Sequence, residues 1–289
     1  MIYIIIPVHN RKEFTRQCLL SLRQQTYKQF KVVVIDDGST DGTEEMLAKE
    51  FPEVHVIKGD GNLWWTAAMN LGVNYVLKIS KDEDYILTLN NDLYVKNDYL
   101  ENIINAIKNK PGSLIGSISV DAEEQSKILD AGVKINWITA KYHNLSENMK
   151  EMKEIDEYLR VDALPGRGTL IPVEVFRKVG IFNHKLLPHY GADYEFSIRA
   201  KKRGYKLFVH HKLIVYSFSK ETGLNNSIKK LKWSEWIKSY VAIKSPNNLK
   251  YRWNFAKLFL PKVYVVPFFI LDSMRVFFGG FKNQIASMK

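Results

Sequence analysis

A single cysteine, Cys18, in 289 residues leaves no partner for an intrachain disulfide and rules out a cysteine-cluster metal site. Its neighbours Leu19, Leu20 and Leu22 suggest a packed thiol, and a reducing compartment suffices for such a chain. Repeats and low-complexity tracts are missing too, and fractions of 46% hydrophobic and 25% charged residues exclude a disordered polymer. Met1-Ile2-Tyr3-Ile4 is not a charged leader ahead of a long apolar stretch, so no secretory signal is visible and a cytoplasmic protein is expected. Late in the chain Val263 to Leu271 is strongly apolar, but it is interrupted by Pro267 and far shorter than the roughly twenty residues that cross a bilayer as a helix. No transmembrane segment is therefore expected.

Acidic residues are in deficit: 31 Asp and Glu stand against 42 Lys and Arg, a formal charge of +11. The excess is concentrated late, where Lys229, Lys230, Lys232, Lys238, Lys244, Lys250, Arg252, Lys257 and Lys262 face only Glu235. Nucleic acid, an anionic membrane surface and a phosphorylated substrate would all suit that charge. No nucleic-acid recognition motif accompanies it, so no nucleic-acid partner is expected.

Ile2 to Val8 is a near-continuous apolar run, the pattern of a strand covered on both faces of a parallel sheet. Similar runs follow at Lys31 to Ile35, Val54 to Ile57, Tyr85 to Leu89 and Leu114 to Ile118. Between them, Phe14, Cys18 and Leu22 fall four apart, and Leu100, Ile103, Ile104 and Ile107 make a stripe at helical spacing. Alternating strands and helices predict an α/β fold with a mostly parallel central sheet, one elaborated domain with ligands at the carboxyl ends of its strands. A helix is expected to begin at Pro172 and another to run from Ala192 to Arg203, ending before Gly204. Glu123 to Arg160 is polar and shows no clear period; a flexible acceptor loop is one reading.

Three polar clusters directly follow strands: Pro7 to Asn10, Asp36-Asp37-Gly38-Ser39 and Asn90-Asn91-Asp92. A carboxylate in the second can accept from a base or ribose, although aspartates in such turns also bond their own backbone. Asp92 is placed to meet a hard cation such as Mg²⁺ or Mn²⁺, which takes one or two protein carboxylates and completes its shell with diphosphate oxygens. Asp193 opens a predicted helix, where a carboxylate serves either as a cap or as a general base for an acceptor hydroxyl. The helix N-terminus would keep it ionised at neutral pH. A glycine-rich, lysine-containing phosphate loop is absent after the first strand, which argues against a nucleotidyltransferase.

Together these motifs resemble the inverting family-two glycosyltransferases of the GT-A fold, over roughly Ile2 to Ser219. Ile4-Ile5-Ile6-Pro7-Val8-His9-Asn10 is similar to the family's opening strand and turn, and Asp36-Asp37-Gly38-Ser39-Thr40-Asp41 to its base-binding loop. Gly61-Asn62-Leu63-Trp64-Trp65-Thr66-Ala67-Ala68-Met69-Asn70 resembles the next segment, with two tryptophans where smaller residues are usual. Asn90-Asn91-Asp92 corresponds to the Asp-x-Asp motif with its first acid changed to Asn. Gly166-Arg167-Gly168-Thr169 and Asp193-Tyr194-Glu195-Phe196-Ser197-Ile198-Arg199 match the second-half signature, with Ala192 where glutamate usually precedes the base. Ser217 stands where relatives often carry a metal-facing histidine, although His210 and His211 lie nearby.

The resemblance implies a nucleotide-sugar site of Pro7, His9, Asn10, Asp37, Gly61, Trp64, Asn70, Asn90, Asn91 and Asp92. It further implies an acceptor or sugar pocket of Trp65, Arg167, Gly168, His189, Tyr190 and Arg199, with Asp193 as base, Asp92 on Mg²⁺ or Mn²⁺, and inversion at the anomeric centre. Residues 1–118 would form the nucleotide-sugar half, 119–222 the acceptor half, and 223–289 a helical, basic and aromatic extension. The Trp-rich loop, the Asn-Asn-Asp motif and Tyr251-Arg252-Trp253-Asn254 are similar to bacterial polysaccharide enzymes, many of them rhamnosyltransferases. That implies a dTDP-rhamnose or UDP-sugar donor and a glycan or lipid-linked saccharide acceptor. The alternative is a degenerate transferase-like subunit that binds a sugar nucleotide without turning it over. The extension suits either an anionic inner-leaflet surface or a helical cap that covers the sheet or makes a homodimer.

Overall fold

The computed structural model describes residues 1–148, 157–219, 233–243 and 245–286. The expected boundary near 222, and Lys229, Lys230, Lys232 and Lys244 of the basic cluster, lie outside the described residues. In chain order the first half runs β1 (Ile2–Val8), α1 (Lys12–Arg23), β2 (Phe30–Asp36), α2 (Thr43–Glu50), β3 (His55–Lys58), α3 (Trp64–Ile79), β4 (Tyr85–Thr88), β5 (Leu93–Val95), α4 (Tyr99–Asn109) and β6 (Leu114–Asp121). There follow β7 (Ile128–Asp130), β8 (Val133–Asn136), β9 (Lys141–Asn144), β10 (Tyr158–Arg160), β11 (Thr169–Pro172), α5 (Val173–Val179), α6 (Ala192–Lys202) and β12 (Leu207–Ser217). The chain closes with α7 (Trp233–Ser239), α8 (Leu249–Phe259) and α9 (Lys262–Ala286).

The central sheet has the order β10-β12-β6-β11-β4-β1-β2-β3. Successive side chains of a strand point to opposite faces, so one apolar run feeds two cores. Tyr3, Ile5, Val33 and Ile35 pack against Met69, Val73 and Val76 of α3. On the other face Ile4, Ile6 and Val34 meet Cys18, Leu19 and Leu22 of α1, Met46 and Leu47 of α2, and Leu100, Ile103 and Ile107 of α4. Cys18 is thus the packed thiol its neighbours predicted, with burial pushing its pKa up to about 12.

The parallel expectation holds for β4, β1, β2 and β3, which pair in parallel throughout. The other half is mixed: β12 is parallel to β6, but β11 runs antiparallel to both β4 and β6. This reversal matters for the site. Thr169 lies opposite Thr88, so the segment entering β11 emerges at the same sheet edge as the carboxyl ends of β1, β2 and β4.

The segment read as a flexible loop instead contains β7, the β8–β9 hairpin and β10 among its described residues. No period shows because these strands are short and only β8 buries alternate residues, Val133 and Ile135, while β7, β9 and β10 bury none fully. The extension packs onto that hairpin. Phe255 of α8 stacks on Trp137, and Val265 and Phe268 of α9 cover Ala140.

The late apolar segment requires a correction. Rather than a nine-residue stretch, the segment is part of α9, whose 25 residues, Lys262–Ala286, run through Pro267. Lys262–Phe281 has a mean hydropathy of 1.4, making α9 long and apolar enough to cross a membrane by length and composition. Proline removes one amide donor, a local loss that the packing of Val265 and Phe268 on either side offsets. The inner face of α9 is committed to protein: Asp272 pairs with Arg252 at 2.6 Å, and Arg275 donates to the carbonyls of Thr139 and Ala140.

Candidate active site

At the sheet edge where the strand ends converge lies a cavity of about 790 Å³, within the range of small-molecule sites. Pro7, His9, Asp37, Gly61, Trp64, Trp65, Asn90, Asn91, Asp92, Arg167, His189, Tyr190 and Asp193, all selected from the sequence, line it. Sheet order sets their sequence in space: Asp37 follows β2, His9 follows β1, Asp92 follows β4, and Gly166-Arg167 lead into β11.

Asp37 is buried and accepts from the amides of Gly61 at 2.8 Å and Leu63 at 2.9 Å, tying the turn after β2 to the loop before α3. The Asp37 carbonyl lies 2.6 Å from Nδ1 of His9, which joins the turn after β1 to the same unit. Trp64 holds a left-handed backbone (φ 55°), an uncommon conformation for a bulky residue that fixes the entry into α3. Next to it, the Trp65 indole donates to Asn90 Oδ1 at 3.1 Å and packs edge-on against Phe182.

Asp92 is only 4% exposed. One oxygen accepts from Arg11 Nη1 at 2.9 Å, while Oδ1 is buried without a hydrogen-bond partner. No group of three His, Cys, Asp or Glu capable of holding a metal occurs among the described residues. A lone carboxylate with an orphaned oxygen still fits a cation whose remaining ligands come from a diphosphate. Arg167 donates to Ser217 Oγ at 3.3 Å, so a guanidinium occupies the surroundings where a histidine is usual. His210 and His211 do not compensate. They sit in the middle of β12 beside Tyr158, about 20 Å of strand rise from Ser217 and outside the cavity lining.

Asp193 occupies the first turn of α6, launched by Gly191 at φ 81°. Its carboxylate accepts from the amides of Gly166 at 2.8 Å and Tyr194 at 2.9 Å. Burial raises its pKa above the ordinary aspartate value, while those amides and Arg167 pull it back. The helix N-terminus is therefore not the dominant influence that the sequence suggested. Gly166 has a steric reason: a Cβ there would lie 2.3 Å from the Trp65 ring. The absent side chain lets one backbone amide reach the Asp193 carboxylate while the indole packs over it.

Four expected residues lie outside the cavity lining. The Asn10 amide donates to Ser39 Oγ and its side-chain oxygen accepts from Thr40, so it joins two turns. Asn70 clamps Phe182 through both its amide and its carbonyl, at 2.8 and 3.0 Å. Gly168, at φ 78°, is packed against Ser117 and Val215 in the interior. Arg199 is bound to both oxygens of Glu195 and to the carbonyls of Val179 and Ile181, a strut holding α6 to α5. In each case the signature residue supports the site without facing it. Conversely, Arg11, Asp130, Tyr142, Tyr194, Tyr251, Arg252 and Asp272 also line the cavity. Of these, the sequence offers only Tyr194, within the second-half signature, and the Tyr251-Arg252 segment, neither as a site residue.

A Glycosyl transferase family 2 model matches residues 3–157, and a Glycosyl transferase family group 2 model matches residues 85–279. The glycosyltransferase GlyA of Streptococcus pneumoniae is 29% identical over 168 residues, 56% of this chain and 23% of the relative. The chain thus spans about a quarter of that relative's length. An uncharacterized glycosyltransferase of Rickettsia typhi is 26% identical over 253 residues, covering 82% of this chain and 72% of the relative. The fold is similar to that of GalNAc-T7 with UDP, GalNAc and Mn²⁺ (TM-score 0.61, 15% identity, 93% of this chain and 54% of that one). It is also similar to the mannosyltransferase PcManGT from Pyrobaculum calidifontis in complex with GDP-Man and Mn²⁺ (TM-score 0.60, 12% identity, 99% and 72%). A GT-A architecture and two overlapping family matches, which between them run from residue 3 to residue 279, make this chain a member of glycosyltransferase family 2.

Proposed function

We propose that the chain transfers a sugar, with inversion, from a nucleoside-diphosphate sugar to a hydroxyl of a glycan or lipid-linked saccharide in bacterial cell-surface polysaccharide synthesis. The observation that carries this reading is that Asp37, Asp92, Arg11, Arg167 and Asp193 all line one cavity. In it, Asp37 and His9 bind the nucleoside at the 1–118 half. Asp193, on the 119–222 half, takes the proton from the acceptor hydroxyl as that oxygen attacks the anomeric carbon. The carbon–oxygen bond to the diphosphate breaks on the opposite face, which inverts the centre.

Negative charge then grows on the diphosphate, and the guanidinium groups of Arg11 and Arg167 are positioned to neutralise it. Asp92, through Oδ1, would hold a Mg²⁺ or Mn²⁺ ion that would further neutralise the leaving group. The donor is dTDP-rhamnose or a UDP-sugar. Trp65 is suited to pack on the transferred sugar.

The outer face of α9 supports work at the cytoplasmic surface of a membrane. Val263, Val266, Ile270, Met274, Phe278 and Phe281 are exposed along one stripe, with Lys238, Lys257 and Lys262 exposed nearby. Because the inner face of α9 is bound to protein, the helix is suited to lie in an anionic interface rather than to span it. Flotation with vesicles containing anionic lipid tests this. Salt-sensitive flotation supports it, whereas absence from the vesicles together with a stable dimer in solution would give the stripe to a second copy.

For transfer itself, thermal-shift measurements with dTDP, UDP and their sugars, with Mn²⁺, Mg²⁺ or chelator, are the test, since a ligand that prefers the native state raises its stability. A selective shift is expected for one base, strengthened by metal. No shift with any nucleotide would contradict the reading, and binding without turnover would favour a degenerate subunit.

A further inference from the structure

The cavity does not end at the base. Past Asp193 its wall is built from Asp130 of β7, Tyr142 of β9, Tyr194 of α6, Tyr251 and Arg252 of α8, and Asp272 of α9. We propose that this wall is a saccharide subsite for the acceptor, neutral in its preference, in which the α8–α9 extension completes the active site. The proposal rests on the glycosyltransferase reading above and adds what the enzyme selects on its acceptor side.

Asp272 and Arg252 supply the first argument. Their 2.6 Å pair ties α9 to α8, with side chains only 4% and 18% exposed. Taking such a pair out of water costs about as much as it returns, so an apolar pair would hold two helices at least as well. The pair is also incompletely used. Arg252 Nη2 donates to the Pro246 carbonyl at 2.9 Å, but Nε is buried without a partner. A donor left unsatisfied in a cavity wall is suited to an incoming oxygen atom.

Asp130 supplies the second. One of its oxygens accepts from the Gly132 amide at 2.7 Å and the other makes only a long 3.4 Å contact with Asn144, which leaves acceptor capacity toward the cavity. Burial raises the Asp130 pKa, and both the Arg167 and the Asp193 charges reach it, so the two carboxyls share one environment. A hydroxyl adjacent to the nucleophilic one would find its acceptor here.

The chemistry selects a class of ligand. Arg252 is neutralised by Asp272, and the Arg167 guanidinium is offset by the Asp130 and Asp193 carboxyls beside it, so the wall keeps no net positive charge to hold carboxylated or phosphorylated sugars. Burial raises the Tyr142 and Tyr194 hydroxyls above their ordinary range, so both remain neutral donors. Aromatic rings beside carboxylates suit a sugar, whose C–H faces pack on the rings while its hydroxyls donate to the acids.

The test uses the full chain saturated with the nucleoside diphosphate that shifts its melting point. Methyl glycosides of rhamnose, glucose and galactose, with methyl glucuronide as the anionic counterpart, are titrated and followed by saturation-transfer NMR. The wild type is expected to bind at least one neutral glycoside and to bind the glucuronide more weakly. Tyr142→Phe and Asp130→Asn should each weaken that binding by about tenfold, with the nucleotide-induced melting shift unchanged. Tyr142→Phe removes one oxygen only, and circular dichroism checks that both variants are folded. No neutral glycoside bound, glucuronide preferred, unchanged affinity in both variants, or a parallel loss of nucleotide binding would each overturn the subsite. A wild type without any nucleotide shift would instead overturn the transferase reading beneath it.

Discussion

The two walls of the cavity are built in different ways. The wall proposed for the donor is local: His9, Asp37 and Asp92 each stand within a few residues of a parallel strand end, and strand register brings them together. The wall proposed for the acceptor is assembled at long range, from a short antiparallel strand, a hairpin and two late helices that meet only after folding. The donor wall therefore follows from the sheet itself, while the acceptor wall depends on how the extension docks. Donor binding should be the more robust function, and acceptor selection the more easily altered.

The strongest way to break that contrast is Gly166→Ala. The added methyl would meet the Trp65 ring at 2.3 Å and disturb the amide that holds Asp193. Displacing a catalytic group by an ångström costs on the order of 10²-fold in turnover, so a loss of about that size is expected by steady-state kinetics, with nucleotide affinity nearly intact. Arg11→Ala should come next, lowering kcat by about 10²-fold through the lost leaving-group charge. The same substitution leaves Asp92 without its ion-pair partner and should steepen the dependence on added Mn²⁺, read as turnover against metal concentration.

A smaller effect concerns pH. With Asp193 as the proposed base, protonation should stop turnover, and because burial raises its pKa the acidic limb of kcat/KM should lie above the ordinary aspartate range. The smallest effect is expected from Phe278→Ser on the outer face of α9, where the ring is 58% exposed. Vesicle flotation should weaken while the melting temperature barely changes.

These predictions follow the line between what the sequence made legible and what it did not. The buried strands and their terminal clusters were legible because continuous apolar runs and adjacent turns are local signals, and β1 begins and ends where its pattern does. The antiparallel insertion of β11 was not, because Thr169–Pro172 is too short for its pattern to reveal direction. Asn70 and Arg199 carried a family signature, yet packing turned both inward, since an amide and a guanidinium can each satisfy several buried backbone groups. Asp130 and Asp272 carried no local signal: one lies in a segment without a clear period, the other in the middle of an apolar helix. Pro267 misled because a breaker in sequence is tolerated in a helix whose flanks are packed.

The most direct measurement is of Asp193→Asn, comparing turnover with the melting shift produced by the donor nucleotide. A positioned general base contributes about 10²–10⁴-fold, so turnover should fall by that factor while the nucleotide shift remains that of the wild type. Turnover close to wild type would show that another group takes the acceptor proton, and the role given to Asp193 would be wrong.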